Sequence, residues 1–258
     1  MLNQLKVGIS ACLLGDNVRY DGGHKGATFC QDELSRHVQF VKLCPEVGIG
    51  MSVPRPTIRL QTTDSDAEAQ AIVSTTGANV TTQLQAFADR SHPQLQTISG
   101  YVLCAKSPSC GLESVKVYDT NADQVAKTGT GIFAARLRER YPALPLEENV
   151  RLQDPLLREN FIERVYVYGA WQALTDTSQR VPTQPQLLEF HERMRLLATH
   201  SQAEYQALGA WLAQQVQIDK GQATHYIEQL MAVLSKPVSR ADHSEVLQHI
   251  KGYFNQDN

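Results

Sequence analysis

Across the first two thirds of this chain, short runs of β-branched and aliphatic residues alternate with stretches of helical character: LKVGISACLL, VQFVKLC, AIVSTTG, TISGYVLCA and ESVKVYD, then the helix-like GIFAARLRERY. Apolar runs of this length suit strands covered on both faces. Strands separated by helix-length segments pair in parallel, because returning to the same end of a sheet needs a crossover. The pattern predicts an α/β domain, a mainly parallel sheet flanked by helices. NFIERVYVYGAWQAL predicts its closing helix, and the polar TDTSQRVPTQPQ, with two prolines, marks the boundary. The α/β domain is therefore expected at 1–178, a linker at 179–185 and a second segment at 186–258.

In that second segment Leu187, Phe190, Met194 and Leu197 recur at helical spacing, as do Tyr205, Leu208 and Leu212, and Val246, Leu247, Ile250 and Phe254. It reads as a small all-α domain. His191, His200, His243 and His249 lie on these stripes and read as core or capping histidines in preference to a metal site.

A formal net charge of -3 over 258 residues excludes a globally basic surface, so any nucleic-acid contact must be local. No apolar stretch reaches membrane-spanning length, and the start, MLNQLKVGISACLLG, alternates like a strand and not like a leader peptide. A cytoplasmic protein with no membrane partner is expected. The five cysteines are odd in number and include no C-x-x-C pair, which argues against a disulfide framework.

Three of those cysteines fall where predicted strands end. Cys12 closes VGISAC, Cys44 closes VQFVKLC before Pro45 and Glu46, and Cys110 sits in AKSPSCG after GYVLC. In an open α/β sheet the carboxyl ends of parallel strands share one edge, where ligands bind. Single thiols from three loops lack the paired spacing of structural zinc sites and suit a cubane cluster, with three ligands for four irons leaving one iron open. The other reading is a chance set of buried thiols, and Cys30 and Cys104 are assigned to it.

The motifs ISACLLGDNVRYDGGHK, LCPEVGIGMSVPR and KSPSCG, in this order, resemble the iron-sulfur thiouracil desulfidase family of TudS type over residues 5 to 175. The tail, with LLEFHERMRLLATHS and VLQHIKGYF, resembles the YbgA-like helical domain. Joined, they resemble the RudS-type desulfidases, which remove sulfur from 4-thiouridine in tRNA. The resemblance implies hydrolysis without redox change at a 4Fe-4S cluster on Cys12, Cys44 and Cys110, with the substrate's sulfur on the open iron. It implies Glu46 as the acid/base group and Ser107 as the second catalytic group, and tRNA or a small thiolated pyrimidine as partner.

The chemistry agrees with those residue types. Iron is thiophilic, and a carboxylate two residues after a cluster ligand is necessarily near the metal, unless it only caps the following helix. Ser107 and Ser109 flank Pro108, and either hydroxyl can stabilise developing charge or cap the turn; spacing does not choose between them. Asp21, with Arg19 and Tyr20, is a substrate-binding candidate or a turn residue. Arg55 is a candidate for holding a phosphate or a pyrimidine carbonyl, and Gly129 and Gly131 precede a helix N-terminus that either binds phosphate or makes a plain turn. In the slightly acidic tail, a tRNA grip requires Arg193, Arg195, Arg240 and Lys251 on one face, with Tyr205 or Tyr253 stacking on a base. Met194-Arg195 stands where the helical family's first motif carries His-Lys. A desulfidase of free thiouracil or thionucleosides is the alternative within this chemistry, and a cluster-binding sensor without turnover is the alternative outside it. A structural zinc protein is the third.

Overall fold

The structure, a computed structural model, describes residues 5–63, 68–121, 123–175, 181–195 and 201–236. Leu197, His200, Arg240, His243, His249, Lys251, Tyr253 and the helix expected over 246–254 lie outside them. The strands are β1 (Leu5–Ser10), β2 (Val38–Leu43), β3 (Ile58–Gln61), β4 (Gln70–Val73), β5 (Tyr101–Leu103), β6 (Val115–Tyr118), β7 (Gln124–Gly129) and β8 (Leu146–Glu148). The helices are α1 (Pro45–Gly48), α2 (Thr81–Arg90), α3 (His92–Leu95), α4 (Ile132–Arg140), α5 (Pro155–Thr175), α6 (Gln184–Arg193), α7 (Gln202–Ala213) and α8 (Lys220–Leu234). Among the described residues no helix is long and apolar enough to cross a membrane.

The expected parallel sheet is present, in the order β2-β1-β5-β8 with every pairing parallel. Val7 and Ile9 on β1 and Val102 on β5 are fully buried, as a sheet covered on both faces requires. Gly8 stands directly beside Tyr101, and any β-carbon at that position would overlap the tyrosine ring.

The runs AIVSTTG and ESVKVYD do not join this sheet. They form β4 and β6 of a second, mixed sheet, ordered β4-β3-β6-β7, antiparallel except where β3 runs beside β6. Short connections between β3 and β4 and between β6 and β7 leave no room for a crossover, so those pairs must be antiparallel. The inner face carries Ile58, Leu60, Val115 and Val117 against Leu84 of α2 and Ile132 of α4.

The chain divides into two compact units, Met1–Pro155 and Leu156–Asn258. The helix expected to close the first domain, α5, thus lies almost wholly in the second unit, earlier than the boundary expected at 178. Its packing explains this: Trp171 meets the rings of Phe190 and Tyr226, and Asn160 Nδ2 donates to the Leu234 carbonyl at 2.7 Å. His191 is a core residue there, stacked on Tyr205 with ring centroids 3.9 Å apart and 3.1 Å from the Tyr226 hydroxyl; burial lowers its pKa. Tyr205 is buried and donates its hydroxyl to the His191 carbonyl, which takes it out of any base-stacking role.

Candidate functional site

In the parallel sheet β1 is followed in sequence by β2 on one side and adjoined by β5 on the other, so the strand order reverses at β1. A crevice opens beyond the carboxyl ends at such a switch point. Cys12 lies in the short turn Ala11–Leu14 after β1, Cys44 precedes α1 after β2, and Cys104 follows β5 directly, with Cys110 later in the same loop. All four thiols line one cavity of about 240 Å3. Among the described residues no three Cys, His, Asp or Glu side chains are arranged to hold a single metal ion.

The loop carrying Cys110 is held by the start of α4. Gly131 N donates to the Gly111 carbonyl at 2.7 Å, Ile132 N to Pro108 at 3.1 Å and Phe133 N to Ser109 at 3.0 Å. The helix N-terminus considered for phosphate therefore spends its orphan amides on this loop. Residues 104 and 105 are held by polar contacts: Cys104 N donates to Ser10 Oγ at 3.1 Å, Ala105 N to Asn149 Oδ1 at 3.0 Å, and Lys25 Nζ to the Ala105 carbonyl at 3.0 Å.

The thiols are electrostatically unequal. Hydrogen bonding with Cys12 lowers Cys104 to about 7 against its burial, with Lys25 and Arg19 assisting. The same bond, then burial, raises Cys12. Burial pushes Cys110 well up, then the charge of Cys104, against a hydrogen bond from Ser10. Cys44 is raised by burial and partly relieved by the amides of Val47 and Glu46 at the start of α1. Beneath them the Tyr101 hydroxyl is fully buried without a hydrogen-bond partner among the described residues, and the charges of Cys110, Cys44 and Cys12 reach it. Thiols on separate loops, nearby cations and an orphaned hydroxyl fit a group bound through several thiolates.

Glu46 lines the same cavity and is held on both oxygens. Arg55 Nε donates to Oε2 at 2.8 Å and Ser109 Oγ to Oε1 at 2.9 Å. Arg55 also donates to the Val18 carbonyl at 2.8 Å and the Ser52 carbonyl at 3.3 Å, so it orients Glu46 and has little left for a phosphate. The two serines divide the work. Ser109 is fully buried behind Glu46 and does not line the cavity, whereas Ser107 does. Ser107 Oγ accepts from the amides of Ser109 at 3.3 Å and Cys110 at 3.1 Å. With both acceptor positions occupied, its proton is the function left to offer. Ser109→Ala removes one of the two bonds orienting Glu46 and is expected to cost about 1 kcal/mol in thermal melting. An unchanged melting temperature would show that Arg55 alone holds Glu46.

Asp21 is exposed, outside the cavity lining, and caps its own turn, accepting from Gly23 N at 3.0 Å and pairing with Arg19 at 3.3 Å. Arg19 and Tyr20 do line the cavity. Cys104, Ser10 and Lys25 line the cavity without being singled out by sequence patterns. Only Cys104 carries a visible signal, its adjacency to a strand end.

A model of the family described as 2-thiouracil desulfurase matches residues 7–149. A second, described as a protein of unknown function (DUF1722), matches residues 195–258. Over 75 residues the chain is 37% identical to the "Uncharacterized protein YbgA" of Escherichia coli strain K12, covering 28% of this chain and 44% of that protein, so it spans under half of that relative's length. A solved structure described as a 4Fe-4S-dependent thiouracil desulfidase, TudS, matches at 29% identity over 58% of this chain and 94% of its own, with a TM-score of 0.48. The first family match covers more than half of the 258 residues and contains every cavity-lining thiol described above: the chain belongs to the 2-thiouracil desulfurase family.

Proposed function

We propose that this protein is a hydrolytic, non-redox desulfidase that converts the C=S of 4-thiouridine in tRNA to C=O, using a 4Fe-4S cluster held by Cys12, Cys44 and Cys110 with one iron open. The observation that carries this reading is a carboxylate, Glu46, held by two donors in the wall of a cavity lined by four thiols. Cys104 is then the thiol outside the ligand set, and Lys25 and Arg19 offset the negative charge of the site.

When bound, such a cluster supplies a thiophilic Lewis acid for a thiocarbonyl sulfur. Each oxygen of Glu46 keeps a lone pair after serving Arg55 or Ser109, so the carboxylate takes a proton from water directed at the ring carbon. Ser107 Oγ–H donates to the atom that gains charge. In balance the thiocarbonyl and one water give the carbonyl and hydrogen sulfide: one C–O bond forms, the C–S bond breaks, the protons of water leave with sulfide or by way of Glu46, and no electron is transferred. A sensor requires neither group.

The test is anaerobic reconstitution of the full chain with iron and sulfide, followed by the thiouridine absorbance in tRNA, in the free nucleoside and in 2-thiouracil. Loss in tRNA is expected. Loss in the small molecules alone would move the substrate to a free thiolated pyrimidine, which the family's description favours. Bound iron with no loss in any of them would return the cluster-sensor reading, and zinc in place of iron would sink both.

A further inference from the structure

The second sheet has an inner apolar face and an outer face that the proposed chemistry leaves unused. Because Leu60 pairs with Val117 and Gln61 with Tyr118, the same parallel register sets Arg59 beside Lys116 on the outer face. With Lys106 and Tyr118 they line a groove of about 820 Å3, and no carboxylate lines it among the described residues. Thr57, Ile58, Lys106 and Pro108 line both this groove and the thiol cavity, so the two adjoin along these residues.

Three features of the groove are unfavourable for an empty surface. Like charges side by side on neighbouring strands repel. Arg59 Nε is buried with no hydrogen-bond partner among the described residues, and Nη2 makes only a long 3.4 Å contact to Gln61 Oε1. Lys106, at the junction, is the one non-glycine residue with a positive φ, 64°, among the described residues, a backbone conformation such residues rarely adopt. An anion with several acceptor oxygens would relieve the first two, and Lys106 stands where that anion would meet a molecule leaving the thiol cavity.

We propose that this groove binds the phosphate groups of a nucleotide whose thiolated base occupies the thiol cavity, with Arg59, Lys116 and Lys106 as phosphate ligands and Tyr118 as a face for ribose or a neighbouring base. The proposal rests on the desulfidase reading of that cavity. It gives the grip on sugar and phosphate to the catalytic unit, where the tail's net charge is slightly acidic.

The test uses the anaerobically purified full chain and a fluorescent, unthiolated short oligouridylate, so that binding is read without turnover. Uridine 5′-monophosphate is expected to compete and uridine is not. Arg59→Gln and Lys116→Gln are each expected to weaken binding about tenfold and to lower the slope of log K against log salt by about 0.7. Lys220→Gln, which removes the same charge from the second unit, is expected to bind like the wild type. Lys116 is exposed, so unchanged thermal melting of its variant separates a lost contact from a lost fold. An oligomer bound more tightly than the mononucleotide assigns the groove to a polynucleotide backbone, and equal binding assigns it to a single nucleotide's phosphate. Uridine competing as well as its monophosphate, or groove variants that bind like the wild type or like Lys220→Gln, would overturn the proposal. Nucleotide binding without desulfidation would sink the activity and keep the groove; desulfidation without nucleotide binding would do the reverse.

Discussion

Glu46→Gln is expected to bind iron like the wild type and to release sulfide about 10²–10⁴-fold more slowly, the range removed with a general base. The amide matches the carboxylate in shape, and its oxygen still accepts from Arg55. It presents a nitrogen that cannot take a proton from water. The amide is the better probe than alanine because the Arg55 and Glu46 side chains are only 3% and 14% exposed. Truncating one member of such a buried pair costs about 3–5 kcal/mol, and loss of fold would then imitate loss of catalysis. Iron content, visible absorption and sulfide release measured on one preparation decide the point; an undiminished rate would remove Glu46 from the mechanism.

Gly131→Ala is expected to lose bound iron and activity together and to destabilise the fold by about 1–3 kcal/mol. A methyl group there would stand 2.5 Å from the carbonyl carbon of Ser109 and 2.8 Å from the amide nitrogen of Cys110. Both are backbone atoms, so neither can rotate aside. Either α4 backs away and gives up its bonds to Pro108 and Ser109, or the loop moves and carries Ser107, Ser109 and Cys110 with it. Full iron occupancy at an unchanged melting temperature would show that Cys110 does not depend on this contact.

Much of the candidate site is legible in the sequence because its residues sit at strand ends, and strand ends follow from local patterns of apolar residues and turn formers. Cys12, Cys44 and Cys110 can be placed at one sheet edge on that ground. Cys104 escapes it because an apolar run looks the same whether its last thiol points into the core or into a crevice. Its bond to Cys12 exists only because β5 lies beside β1. Ser107 and Ser109 are equivalent in local spacing, and the turn that aims one at the cavity and the other at Glu46 is closed by α4, some twenty residues on. Arg55 is a phosphate candidate by sequence, yet its partner is Glu46; of the cations now proposed for phosphate, Lys116 lies on a strand whose run the sequence pattern assigns to the parallel sheet, Arg59 on a strand that pattern does not pick out, and Lys106 in the loop after β5.

Local chemistry encodes an α/β domain, a helical tail, thiols on three separate loops, and a carboxylate and hydroxyls beside them. Tertiary structure alone decided which strands share a sheet, that α5 packs with the tail, that four thiols face one cavity and that Arg59 stands beside Lys116. The physical reason is range. Propensity and turn chemistry act over a few residues, whereas strand neighbours, buried ion pairs and shared cavities arise between segments brought together by burial of apolar surface, which constrains sequence only through how well the whole packs.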